Sequence, residues 1–121
     1  MKVAQYEIHV PYGKRQKVVL PDGTKVILNA GSYMKYPRQF GKEDRYVHFK
    51  GEAYFDVAKN KDCPFIIQSQ DYKIRVLGTT FNLNNYEDSE ELQLTLCTGK
   101  VLMNFGEEQL KLTPGEQLVL E

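Results

Sequence analysis

Leu92-Gln93-Leu94-Thr95-Leu96-Cys97-Thr98-Gly99-Lys100-Val101-Leu102-Met103-Asn104-Phe105 is the stretch that decides the fold. Leucines at 92, 94 and 96 alternate with Gln93 and Thr95. That period of two marks a strand with one buried and one wetted face. Gly99 interrupts, and Val101, Met103 and Phe105 resume the alternation. The stretch therefore reads as two strands of a hairpin turned at Gly99.

The same pattern spreads in both directions. Toward the C-terminus come Leu110 and Leu112, the turn Thr113-Pro114-Gly115-Glu116, then Leu118 and Leu120. Toward the N-terminus, residues 80–84 place Phe81 and Leu83 on one face, and Gly78 separates them from residues 72–77. Pro64 opens a run through Phe65, Ile66 and Ile67. Residues 45–50 and 53–58 read as two strands broken at Gly51. Residues 18–20 and 26–28 flank Pro21-Asp22-Gly23-Thr24, where glycine accepts positive φ and the aspartate bonds its own backbone. The best helical candidate, residues 33–40, is broken by Pro37. The expectation is an all-β antiparallel sandwich of about eleven short strands and no long helix.

Length and composition agree. A chain of 121 residues suits one domain with its own core, and no stretch reads as a linker. Sixteen basic and sixteen acidic residues cancel, so no electrostatic attraction to nucleic acid or anionic membrane is implied. No run reaches the roughly 18 apolar residues of a membrane span. The first twenty residues lack the apolar core and cleavage site of a signal peptide. Cys63 and Cys97 are too few for a disulfide framework or a thiolate metal site, and the plain reading is two thiols without a bridge.

Residues that could carry chemistry are sparse. His9 and His48 are the only histidines, and zinc takes three or four protein ligands. His48 alternates with Val47 and Phe49, which puts it on the solvent side. Ser32, Ser69 and Ser89 stand in no nucleophile elbow. Glu52 and Asp56 could form a glycosidase pair, but positions four apart on a strand are roughly 13 Å apart, beyond the roughly 5 Å of a retaining pair. The acidic run Glu87-Asp88-Ser89-Glu90-Glu91 lacks calcium-loop spacing. An aromatic and basic stretch holds Tyr33, Lys35, Tyr36, Arg38, Phe40, Lys42 and Arg45. Within it Tyr33, Tyr36, Arg38 and Phe40 are the candidate protein-contact patch. The alternative is a carbohydrate-binding module stacking sugars on Tyr33, Tyr36 and Tyr54. No catalytic residue, metal or cofactor is implied.

The turn-bearing segments, taken in order, resemble the FecR family of anti-sigma regulators. They are Leu20-Pro21-Asp22-Gly23-Thr24, Val26 and Leu28-Asn29-Ala30, Arg45 and Val47, and Gly51-Glu52-Ala53-Tyr54-Phe55-Asp56-Val57. Pro64-Phe65, Val76-Leu77-Gly78-Thr79 with Phe81-Asn82, Gly99-Lys100-Val101 and Leu112-Thr113-Pro114-Gly115-Glu116 complete the set. The ordered combination covers residues 14–121, with 1–13 as an N-terminal extension, and the sequence looks like a Bacteroidetes member.

The resemblance implies a jelly-roll-like sandwich in which Asp22, Gly23, Gly51, Glu52, Phe55, Gly78, Gly99 and Gly115 are structural. It implies a periplasmic sensor or relay domain of a single-pass, membrane-anchored anti-sigma factor. The partners it implies are proteins: the signalling domain of a TonB-dependent outer-membrane transducer, and a smaller C-terminal domain of the same protein. An extracytoplasmic-function sigma factor would be met only through a cytoplasmic region outside these residues. The signals implied are iron chelates or glycans. Thr98 departs from the family, whose members commonly carry glutamate before Gly-Lys-Val.

Overall fold

The computed structural model describes residues 4–41, 44–86 and 88–121. Lys42 of the aromatic and basic stretch and Glu87 of the acidic run lie outside them. Among the described residues there are twelve strands, one more than the sequence suggested, and no helix. They are β1 (Gln5–His9), β2 (Gln16–Val19), β3 (Lys25–Leu28), β4 (Tyr33–Pro37), β5 (Arg45–Asp56) and β6 (Phe65–Gln68). After them come β7 (Tyr72–Val76), β8 (Thr80–Asn85), β9 (Leu92–Thr98), β10 (Val101–Phe105), β11 (Glu108–Leu112) and β12 (Gln117–Leu120). Residues 5–9, within the stretch read as an extension, pair with β4 as an edge strand.

Residues 45–50 and 53–58 do not form two strands: β5 runs unbroken for 12 residues. Its first half belongs to one face of the sandwich, in the order β1-β4-β5-β6-β7-β10-β11. Its second half belongs to the other, in the order β2-β3-β5-β8-β9-β12. The sandwich is thus one twelve-stranded sheet folded over at β5.

Every second residue of β5 from Arg45 to Phe55 is buried, so one face of the strand points inward throughout. Phe49 and Phe55 are six residues apart, roughly 20 Å along a straight strand. Their rings nevertheless meet edge-on with centroids 5.3 Å apart, which requires a sharp bend between them. Gly51 stands there at φ +117, and a Cβ on it would lie 2.7 Å from the Cα of Ser32. Glycine is what lets the strand bend and the Ser32 turn enter the elbow.

Two further expectations are corrected. β5 and β6 run parallel, an exception to the antiparallel plan, because the chain passes along β5 into the second layer before returning through residues 57–64. β9 and β10 form no hairpin. β9 pairs with β8 and β12, whereas β10 pairs with β7 and β11, so the turn at Gly99 carries the chain from one layer to the other. The crossing suits the pattern, since Leu92, Leu94 and Leu96 can face Val101 and Met103 across the core only from opposite layers.

The core between the layers is continuous. Phe55 stacks on Phe81 at 5.0 Å and lies 6.3 Å from Phe65, which meets Phe40 at 5.9 Å. Leu28, Met34, Ile67, Ile74, Leu83 and Leu94 are buried around them, each burial stabilising by about 1.5–3 kcal/mol.

Candidate functional site

Among the described residues the most heavily bonded side chain is Arg45, 1% exposed at the start of β5. A guanidinium carries five N–H donors, and here each has an acceptor. Nε donates to the Cys63 carbonyl at 2.7 Å, and Nη1 to the Ala58 carbonyl and to Asp22 Oδ2 at 3.0 Å. Nη2 donates to the carbonyls of Asn60 at 3.3 Å and Leu77 at 3.1 Å. Three of these carbonyls belong to the returning loop that makes β6 parallel to β5. Buried carbonyls need partners, and Arg45 supplies them for that loop.

Asp22 completes the hub. Its Oδ1 accepts from the Thr24 N–H at 2.9 Å, and its Oδ2 accepts from the Thr24 hydroxyl at 2.6 Å as well as from Arg45. The Thr24 hydroxyl in turn accepts from the Ala58 N–H at 3.1 Å. Gly23, at φ +91, closes the turn by donating its N–H to the Leu20 carbonyl at 2.9 Å. The Asp-Gly-Thr turn is therefore both a hairpin turn and the counter-charge of a buried arginine.

Glu52, just past the β5 bend, is held in the same way. Its Oε1 accepts from Asn29 Nδ2 at 2.6 Å and its Oε2 from Asn82 Nδ2 at 3.4 Å. Its N–H donates to the Ser32 hydroxyl, which donates back to the Glu52 carbonyl. Arg15 reaches Asn29 Oδ1 at 3.1 Å. Both carboxylate oxygens are engaged by structural amides, an arrangement that ties the elbow to β8. Asp56 pairs in register with Lys25 and Thr80 at the far end of the strand.

The four residues of the candidate contact patch do not share a surface. Tyr33 faces outward, donating its hydroxyl to Glu7 at 3.1 Å and packing on His9 at 4.7 Å. Burial, with Glu7 adding to it, raises its pKa. Tyr36, three residues on, falls on the opposite side of β4 and packs between Tyr6 at 5.4 Å and Phe40 at 5.9 Å. Phe40 is 6% exposed and belongs to the core; Arg38 is exposed. Tyr54 stands on the outer face of the other layer. Tyr33, Tyr36 and Tyr54 thus form no common stacking platform.

The remaining candidates are dispersed. His48 is half-buried beside Tyr46, with its pKa lowered by burial and by Lys35. Cys63 is buried and Cys97 exposed, with no disulfide between them. Gly78 and Gly99 mark two adjacent layer crossings, where the Thr79 hydroxyl donates to the Lys100 carbonyl at 3.1 Å. Gly115 donates its N–H to the Leu96 carbonyl, and Glu116 accepts from both the N–H and the hydroxyl of Thr113. Among the described residues no three His, Cys, Asp or Glu side chains converge to hold a metal ion.

Comparison with known proteins agrees with this fold. A family model described as FecR protein matches residues 6–102. A crystal structure from Parabacteroides distasonis ATCC 8503, assigned as an anti-sigma factor, is similar with a TM-score of 0.93 and 38% identity. The match covers 97% of this chain and 55% of that one. A second structure from the same organism, assigned likewise, gives 0.91 and 39% over 95% of this chain and 54% of that one. This chain therefore spans about half the length of these solved relatives. No curated protein matches it.

Proposed function

Because the chain belongs to the FecR protein family, we propose that it is the periplasmic relay domain of a membrane-anchored anti-sigma factor. In this reading it passes the state of a TonB-dependent outer-membrane transducer toward an extracytoplasmic-function sigma factor. The observation that carries the reading is the family match over residues 6–102, joined to two structural relatives assigned as anti-sigma factors. The polar chemistry supports it. Arg45, Asp22 and Glu52 make their hydrogen bonds within the fold, as expected of a scaffold that binds protein.

The test is capture of the transducer's signalling domain by the whole extracytoplasmic part of the regulator, with and without these 121 residues. Capture that depends on them supports the relay. Equal capture without them contradicts it.

A further inference from the structure

The chain has zero formal net charge, but the cavities bordering the two ends of β7 are lined by charges of opposite sign. At the end where β7 begins, the cavity beside Tyr72 is bordered by Asp71, Glu90 and Glu121, with Lys50 the one base among its lining residues. At the end where β7 finishes, a groove of about 680 Å³ is bordered by Arg75, Lys100 and Lys111 and, among the described residues, by no acid. Leu102 lines the groove. In register it sits directly between Arg75 of β7 and Lys111 of β11. Leu77, 43% exposed, extends the apolar floor. Among the described residues none of these three bases forms an ion pair.

An apolar strip flanked by unpaired bases has a definite complement. From this arrangement we infer that the groove docks an acidic, extended protein segment, whose apolar side chain covers Leu77 and Leu102 while flanking carboxylates meet Arg75, Lys100 and Lys111. Rim charges of this kind guide encounter and select a partner, and the covered apolar centre provides the hold. The groove lies on the outer surface, clear of the Glu52 elbow, and meets the Arg45 hub only through the backbone of Leu77, whose carbonyl accepts from Arg45 while its side chain is exposed. The inference rests on the relay reading for its need of a protein partner, and it places that partner on one surface.

The probe is an eight-residue peptide with a central Leu-Phe pair flanked by glutamates, titrated into the isotopically labelled chain and followed by amide chemical shifts. A counterpart with lysine replacing glutamate serves as control. Shifts centred on Leu77, Leu102 and Lys111 are expected. Binding should weaken by about tenfold or more in the Arg75→Glu, Lys111→Glu double variant, and weaken with added salt. Equal binding of the lysine peptide, shifts centred elsewhere, no shifts, or full binding by the double variant would each overturn the groove. So would concentration-dependent shifts without peptide that link the groove to Asp71 and Glu90, since those would assign it to a second copy of the chain. The titration is separate from transducer capture: its failure removes the groove and leaves the relay standing, whereas failed capture removes the relay and leaves the peptide result intact.

Discussion

The Arg45 guanidinium and the Asp22 carboxylate meet at 3.0 Å across 23 residues of chain, with side-chain exposures of 1% and 12%. The pair joins the first hairpin turn to the start of the one strand that belongs to both layers. The same guanidinium then binds the returning loop, so one side chain ties together three segments, which the Ala58 N–H to Thr24 hydroxyl bond and the Arg45 N–H to Pro64 carbonyl bond also help to join. Removing one partner of a buried pair leaves an uncompensated charge. Asp22→Ala is therefore expected to cost about 3–5 kcal/mol, read as a lower midpoint in urea unfolding. Arg45→Lys keeps the charge but offers three donors for five acceptors, and should cost about 3 kcal/mol or more.

Gly51 and Gly23 both have positive φ, but their surroundings differ. Nothing lies within 4 Å of a Cβ built on Gly23, whereas one on Gly51 would press against the backbone of Ser32. Gly23→Ala should cost about 1–2 kcal/mol, the backbone term alone. Gly51→Ala should cost clearly more, because the Ser32 turn must leave the elbow. Comparable thermal midpoints for the two variants would contradict the bend described for β5.

The Glu52 carboxylate is an acceptor on both sides. Glu52→Gln places an amide N–H₂ against one of the two asparagine donors, and about 1–3 kcal/mol should be lost for the unsatisfied group. Supplying a matched acceptor opposite that amide, by combining Glu52→Gln with Asn29→Asp, should recover part of it. Chemical denaturation of the single and double variants checks this.

Tyr72 supplies a pH signature. Burial raises its pKa from 10.0 to about 12, with Asp71 adding to the rise and Ser69 offsetting part of it. Its hydroxyl has no partner of hydrogen-bonding geometry among the described residues, so Ser69 is near without bonding it. A folded-state pKa above the unfolded value contributes stability that is complete below pH 10 and lost as pH rises through about 12. Tyr72→Phe should flatten that alkaline loss and, by removing an unpaired buried hydroxyl, raise stability near neutrality by about 1 kcal/mol. Thermal melts across pH 8 to 12 give both readings.

Much of the β architecture was legible in alternation and turn chemistry, because both are local. The hairpin at Asp22-Gly23 and the apolar faces of residues 92–96 and 72–76 need only neighbouring residues to be recognised. What sequence hid was connection between layers. Gly51 and Gly99 both read as strand ends, whereas one bends a continuous strand and the other carries the chain across the core. Charge also misled: Arg45 read as part of a basic surface, although it shares parity with Val47 and Phe49 and so belongs to the inward face. Parity would likewise have separated Tyr33 from Tyr36. The engagement of Arg45 by Asp22, and of Glu52 by Asn29 and Asn82, depends on contacts 23 to 30 residues apart, which no local pattern encodes.

The relay itself is tested most directly by transcription from the sigma-dependent promoter in cells carrying the full-length regulator, with and without the inducing signal. In-frame removal of these residues, at matched regulator abundance, is expected to abolish the signal-dependent change in transcription. An undiminished response without them would contradict the relay.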